Sequence, residues 1–361
     1  MALAKPFPPR CHPSTTGAPL CSIRCSPSLT PASPHRHSSP QPHPIVTPLH
    51  PPQEIMALAK PIVPSTVEVF FAVLRDLKPI PAKSHYTFNL RDVSKVVQGV
   101  LMMRAGSVPS KDVLVKLWCH EAMRVFCDRL IDNDDRSYFT AMIADYVKVQ
   151  FKLPWSHEEL FEGESKLVFG DYMRMGVPRE DRRYEDVPET KKVPKLFADY
   201  LDEYNAENKE MRLVFFWDAC DHVSRLARVL RQPRGNAMLV GVGGSGKQSL
   251  TRFAAYVAEM KCFQIELTKG YGYAEFREDL KKLYFMAGCD NTPVVFLFAD
   301  TQIVTENFVE DINNILNSGE VPNLFPNDEL ERIIRDVRPF CRDAGIPETR
   351  DNIKLFFVSR V

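Results

Sequence analysis

The sequence has no excess of either charge. Its 361 residues carry 46 Lys+Arg and 46 Asp+Glu, a formal net charge of zero. That balance argues against a protein organised around a phosphate-backbone patch, so no nucleic-acid partner is expected. Long apolar runs are also missing. A bilayer span needs about 18–20 such residues. The longest runs, Val67–Leu74 and Val294–Ala299, are sized for a strand or half a helix. No membrane partner is expected, and with no continuous apolar stretch at the N-terminus, no secretory signal either. A disulfide framework is absent too. The nine cysteines are odd in number and scattered, which suits a reducing compartment.

What is present divides unevenly. Residues 1–55 hold 14 of the 29 prolines, five of the nine histidines, four basic residues and a single acidic one. Such a composition offers little to bury against the entropy of ordering, so residues 1–61 read as a disordered Pro/Ser/His-rich leader. Cys21, Cys25, His35 and His37 fit no usual zinc spacing. The string Met1-Ala2-Leu3-Ala4-Lys5-Pro6 recurs as Met56-Ala57-Leu58-Ala59-Lys60-Pro61. It suggests an upstream extension; a transit peptide is the other reading, weakened by the lack of an Arg-rich amphipathic helix.

The body has room for about two domains at roughly 150 residues each. Residues 62–170 read as a helical bundle. Val67, Phe70, Phe71 and Leu74 recur at helical spacing. Further helices are expected at 90–103, 111–131 and 136–149, the second with Leu114, Leu117, Met123, Phe126 and Leu130 as its stripe. Residues 171–195 are charged and proline-dotted and read as a connector. From 196 to 361 helices alternate with short apolar strands at 236–240, 262–267 and 294–299. That order predicts a parallel sheet with helices on both faces.

Gly241-Val242-Gly243-Gly244-Ser245-Gly246-Lys247-Gln248-Ser249 lies between the first of these strands and a helix, the context a phosphate-binding loop requires. Glycines let backbone N–H groups turn toward phosphate oxygens, and the helix N-terminus adds its dipole. Lys247 would reach the β- and γ-phosphates. The plainer alternative is a Gly-rich turn with no ligand. The usual pattern places Ser or Thr directly after the lysine, as a Mg²⁺ ligand. Here Gln248 stands there, and Ser249 follows about 100° further round the helix. Mg²⁺ is therefore expected to be held less well, or through water.

Val294–Ala299 ends at Asp300, placed to bind Mg²⁺ through the metal's water shell. The next position, which in hydrolysing AAA+ proteins holds the glutamate that polarises water, is Thr301. A hydroxyl cannot serve as that base. Nucleotide binding with slow or no hydrolysis is expected, with no catalytic residue assigned.

These residues carry a family resemblance. Asn236–Arg252, Asp300-Thr301-Gln302-Ile303 and Glu310–Phe325 resemble the fourth AAA+ module of axonemal dynein heavy chains. His85–Gly99 resembles the lid of the preceding module. The implied fold is an α/β P-loop NTPase core of AAA+ type after an all-α lid. Gln248 and Thr301 are then family-typical. Arg91 looks like a sensor-II arginine for the third module's nucleotide. The resemblance implies ATP or ADP and Mg²⁺ as cofactors. It implies the rest of a dynein ring, intermediate and light chains, and microtubules as partners. Cytoplasm, cytoskeleton and cilium axoneme are the implied locations. The last helix resembles the one before the sensor-I strand, so a fragment or an incomplete gene model is expected. The alternative is a stand-alone, non-hydrolysing regulatory or scaffold module. An unrelated P-loop kinase or ATPase fits the 310–325 string poorly.

Overall fold

The computed structural model describes residues 2–4, 53–162 and 166–361. The zinc reading at Cys21, Cys25, His35 and His37 lies outside the described residues, as does the leader apart from Ala2–Ala4 and the residues from 53 onward.

Strand β1 is Ala2–Ala4. Helical structure then starts with α1, Gln53–Ala57, and α2, Ala59–Asp76. This is ahead of the expected boundary at residue 62, because Ile55 and Ile62 already pack into the bundle core. The stretch Ile55–Asp76 is 22 residues, long and apolar enough by length and composition alone to cross a bilayer. That corrects the run-length reading above, which began the apolar run only at Val67. One face of it is buried here. That face is Ile62, Thr66, Val69, Phe70 and Val73, while Phe71 and Leu74 are exposed. The sequence reading set the stripe about one position off, because aromatic and aliphatic residues flank the true face on both sides. Thr66 shows why the polar position belongs inside. Its hydroxyl donates to the Ile62 carbonyl at 2.7 Å and accepts from the Trp118 indole at 2.9 Å.

Helix α3, Leu90–Val100, starts at a well-made cap. Asn89 Oδ1 accepts from the Arg91 amide, and the Asp92 carboxylate accepts from the Asn89 amide, both at 2.9 Å. These bonds satisfy donors that a helix start otherwise leaves free. Helix α4, Lys111–Val125, runs through the middle with Leu117, Trp118 and Cys119 fully buried. Helix α5, Asn133–Gln150, closes the bundle.

The connecting segment is packed in. Strands β2, Phe169–Gly170, and β3, Glu185–Asp186, pair as a short antiparallel ribbon. Tyr172, Tyr184 and Val187 are buried, and the Arg182 guanidinium donates to the Val177 carbonyl at 2.8 Å and to that of Val257.

Beyond it come α6, Val193–Glu207, and α7, Trp217–Arg231. Strand β4, Asn236–Ala237, precedes α8, Lys247–Val257, and β5 is Lys261–Phe263. Helix α9, Tyr273–Tyr284, and strand β6, Val294–Leu297, follow, then α10, Glu306–Ser318. The chain closes with α11, Asn327–Asp343, and α12, Arg350–Arg360. The sheet order is β4-β1-β6-β5. Strands β5 and β6 are parallel, whereas β1 runs antiparallel to both β4 and β6. The expectation of a wholly parallel sheet is corrected: a strand from the N-terminus stands in its middle. Strand β4 is also shorter than expected. Its ladder ends at Ala237, and Met238, Val240 and Val242 alternate along the following stretch at about 80% exposure.

Helices cover both faces, as the apolar run at 294–298 predicts. Val295 points into the core with α6, α7 and α8. Val294, Phe296 and Phe298 point into the other, with α9 to α12. Alternation along one strand thus feeds two cores.

Candidate nucleotide-binding site

The bundle and the sheet domain meet at one buried charged cluster. Glu121 on α4 has no exposure, and its carboxylate accepts from Arg228 Nε on α7 at 2.9 Å and again from Nη2. The Tyr184 hydroxyl donates to its other oxygen at 2.9 Å, and His120 Nδ1 lies 3.1 Å away. Burial alone would raise the Glu121 pKa, but the His120 contact and the Arg228 charge outweigh it and hold the group down at about 2. His120 is buried as well, and burial keeps its pKa below the ordinary value. The acid is therefore charged, and the imidazole is neutral near pH 7. Gly99 on α3 faces this carboxylate so closely that a Cβ would fall 1.8 Å from Glu121 Oε2. Helix α7 leaves this cluster and leads through Gln232–Gly235 into β4 and the phosphate loop.

The loop turns by glycine conformation. Gly244 and Gly246 have φ of +76° and +78°, the left-handed region that other residues enter at a cost. Gly246 is the N-cap of α8, so the first free N–H groups of that helix face the loop. Lys247 folds back over it. Its Nζ donates to the carbonyls of Gly241 and Val242 at 2.8 and 2.7 Å, and to Ser245 Oγ at 3.2 Å. A cation held on loop carbonyls lies where an anion cradled by the loop would meet it. Residues 241–245 are exposed, Gln248 is exposed and Ser249 is half-buried. Thr251, one turn on, is fully buried and donates to the Lys247 carbonyl at 2.8 Å.

Strands β4 and β6 both run opposite to β1, so they run the same way as each other. The loop after β4 and the turn after β6 therefore emerge at the same, carboxyl end of the strands. Asp300 opens that turn, exposed, with its Oδ1 accepting from the Thr301 amide at 3.0 Å. Thr301 is exposed beside it. Sequence reasoning gave no role to Gln302. It is buried, its Oε1 accepts from the Ala299 amide at 2.8 Å, and its Nε2 donates to the Ile265 carbonyl at 2.6 Å. It ties the end of β6 to the segment after β5 and so fixes where Asp300 stands. The i, i+3 spacing from Ala299 to Gln302 is the local signal that could have found it.

Arg91 is not gathered into this site. It is exposed at the start of α3, and its neighbours belong to the bundle core rather than the sheet. Among the described residues, no group of three or more His, Cys, Asp or Glu is arranged to hold a metal. The oxygen donors that the sequence reading assigns to a metal are Asp300 and the Gln248–Ser249 pair, on the turn after β6 and the first turn of α8. They fit a cation such as Mg²⁺ that takes one or two carboxylates, water and phosphate oxygens, rather than an all-protein cage.

A glycine-turned loop at the start of α8, an acidic turn at the same end of the strands, and a helical lid packed through α4 and α7 define the class: an α/β core of the P-loop AAA+ type with a lid bundle before it. Comparison with known proteins narrows this. A profile described as "P-loop containing dynein motor region D4" matches residues 211–361, and one described as "Dynein heavy chain, ATPase lid domain" matches residues 45–136. Human "Dynein axonemal heavy chain 6" is 50% identical over 312 residues, covering 86% of this chain and 8% of the relative. The Chlamydomonas reinhardtii "Dynein-1-beta heavy chain, flagellar inner arm I1 complex" is 46% identical, covering 85% of this chain and 7% of the relative. Mouse "Dynein axonemal heavy chain 1" is 44% identical, covering 84% and 7%. The chain belongs to the axonemal dynein heavy chain family, and it spans less than a tenth of the length of these relatives.

Proposed function

We propose that residues 196–361 bind an adenine nucleotide at the Gly241–Ser249 loop with slow or no hydrolysis. In this reading the chain is a segment of a dynein motor ring that moves along microtubules in cilia or flagella. The other partners are the rest of the ring and the intermediate and light chains, at the cytoskeleton of the axoneme. The observation that carries the nucleotide reading is the back-folded Lys247 over a loop with two left-handed glycines at the N-terminus of α8. Phosphate oxygens would replace the loop carbonyls as Lys247 partners and accept from the free N–H groups of α8. Asp300, with Ser249 or Gln248 through water, would hold Mg²⁺, which supplies charge neutralisation at the β- and γ-phosphates when bound. Thr301 supports the slow-hydrolysis part, because no carboxylate stands in its place to polarise water.

The test is binding of a fluorescent ATP analogue to the full chain, with and without Mg²⁺. Lys247→Ala is expected to weaken binding by about tenfold or more, the scale of a lost charge-assisted contact. Phosphate release should stay near background. Thr301→Glu is the informative gain-of-function variant, since it restores a carboxylate beside Asp300. Wild-type affinity equal to that of Lys247→Ala would overturn the nucleotide reading. Turnover that disappears in Asp300→Ala would overturn the slow-hydrolysis part.

A further inference from the structure

Helix α8, which starts at the phosphate loop, ends on a strained residue. Its last turn closes in a Schellman pattern: the Glu259 amide donates to the Tyr256 carbonyl at 2.8 Å and the Met260 amide to that of Ala255 at 2.9 Å. The position between turn and exit needs left-handed backbone, and glycine is the usual occupant. Here it is Glu259, at φ +52°. A glutamate pays a conformational penalty there, so its side chain must be held by something.

That side chain is a hub. One carboxylate oxygen accepts from Arg182 Nη2 at 2.5 Å and the other from the Arg179 amide at 2.9 Å. Both arginines lie on the connecting segment, far back in sequence. Both also reach the two carbonyls that the Schellman pattern leaves over. Arg182 donates to that of Val257, and Arg179 to that of Ala258 at 2.7 Å. Arg179 donates as well to the Leu230 carbonyl at 3.0 Å, in the last turn of α7. The two helices so gripped are the one that leads into the phosphate loop and the one that leaves it. Cations at helix C-termini suit the dipole. The Arg182 side chain is only 3% exposed, so this is a packed contact rather than a surface pair. The same segment takes a bond from the bundle, Arg104 Nη2 to the Glu180 carbonyl at 3.2 Å.

We propose that Arg179, Arg182 and Glu259 form a latch by which residues 177–182 hold the far end of α8, and that they are positioning residues for the phosphate loop. The positioning half rests on the nucleotide reading above; the latch half does not. The 11 residues of α8 make a rod of about 16 Å. Lys247 and the free N–H groups sit at its start, and a binding site tolerates displacements of only about 0.5 Å. A rod released at one end pivots by that much at the other. Charge alone predicts the opposite sign, because removing the Glu259 carboxylate favours an anionic ligand. The direction of the effect therefore separates position from charge.

The test compares the full chain with Glu259→Gly and Glu259→Gln. Glycine accepts left-handed backbone, so the first variant opens the latch while easing the turn, and it is expected to keep the wild-type urea midpoint. Glutamine keeps an oxygen for the Arg179 amide and for Arg182 but carries no charge. Amide hydrogen exchange across 177–182 should be at least about tenfold faster in Glu259→Gly and within about threefold of wild type in Glu259→Gln, with α3 to α5 unchanged. Affinity for a fluorescent ATP analogue should fall about three- to tenfold in Glu259→Gly and stay within about twofold in Glu259→Gln. Equal exchange in wild type and Glu259→Gly overturns the latch. Faster exchange with affinity unchanged or raised overturns the positioning alone. A fall in affinity that comes with a lowered urea midpoint, and that Glu259→Gln does not restore, overturns the positioning in favour of a purely stabilising role. A wild type that binds no analogue yet shows the exchange difference overturns the nucleotide reading and with it the positioning, leaving the latch supported.

Discussion

The Glu121 cluster and the Gly241–Lys247 loop are opposite solutions to placing a charge. At the first, a carboxylate is fully buried and every strong partner is protein: Arg228, Tyr184 and His120. At the second, a cation is held by three loop oxygens in solvent reach. A buried charge is costly to leave unpaired, so the first site locks its elements together. An exposed one can exchange partners cheaply, which is what the proposed anion binding at the second requires. The two are joined by α7, which carries Arg228 and leads into β4. The difference separates positions that hold the fold from positions that are free to bind.

The sharpest way to break this contrast is to remove the acid. Glu121→Ala leaves Arg228 buried without its partner and should cost about 3–5 kcal/mol, read from urea unfolding followed by circular dichroism. The same carboxylate gives a pH signature. Its pKa in the fold, about 2, lies below the ordinary 4.5. Its stabilising contribution is therefore complete above about pH 4.5 and is lost as the pH falls toward 2. Wild type should lose stability in that window more steeply than Glu121→Gln. Gln302→Ala comes next. It strands the Ala299 amide and the Ile265 carbonyl, for about 1–3 kcal/mol in the same assay. Gly246→Ala forces a Cβ into left-handed backbone at about 1–2 kcal/mol, and it should also loosen ATP-analogue binding. Lys247→Ala should change stability least, within about 0.5 kcal/mol, while weakening binding by about tenfold or more. If it destabilised the chain as much as Glu121→Ala, the division between holding and binding would be lost.

Much of the site could be read from sequence because its signals are local. Glycine spacing, a following helix and an apolar strand ending in Asp300 all lie within short windows. Helix α2 was read about one position off, since Phe71 and Leu74 are apolar yet face outward. The Glu121–Arg228 pair joins residues 107 apart and leaves no periodic trace. Strand β1 was illegible for a related reason. Its sequence is helical elsewhere in the same chain, and only its neighbours make it a strand.

The row Met238, Val240 and Val242 stands exposed on the way into the phosphate loop, and Val214 and Phe216 are exposed as well. Water meets these side chains at a cost of about 25 cal/mol for each Å² of apolar surface. That makes the chain's colloidal behaviour a property of the face that leads to its candidate site. Salting-out ions such as sulfate should favour self-association through this row, and mild chaotropes should oppose it.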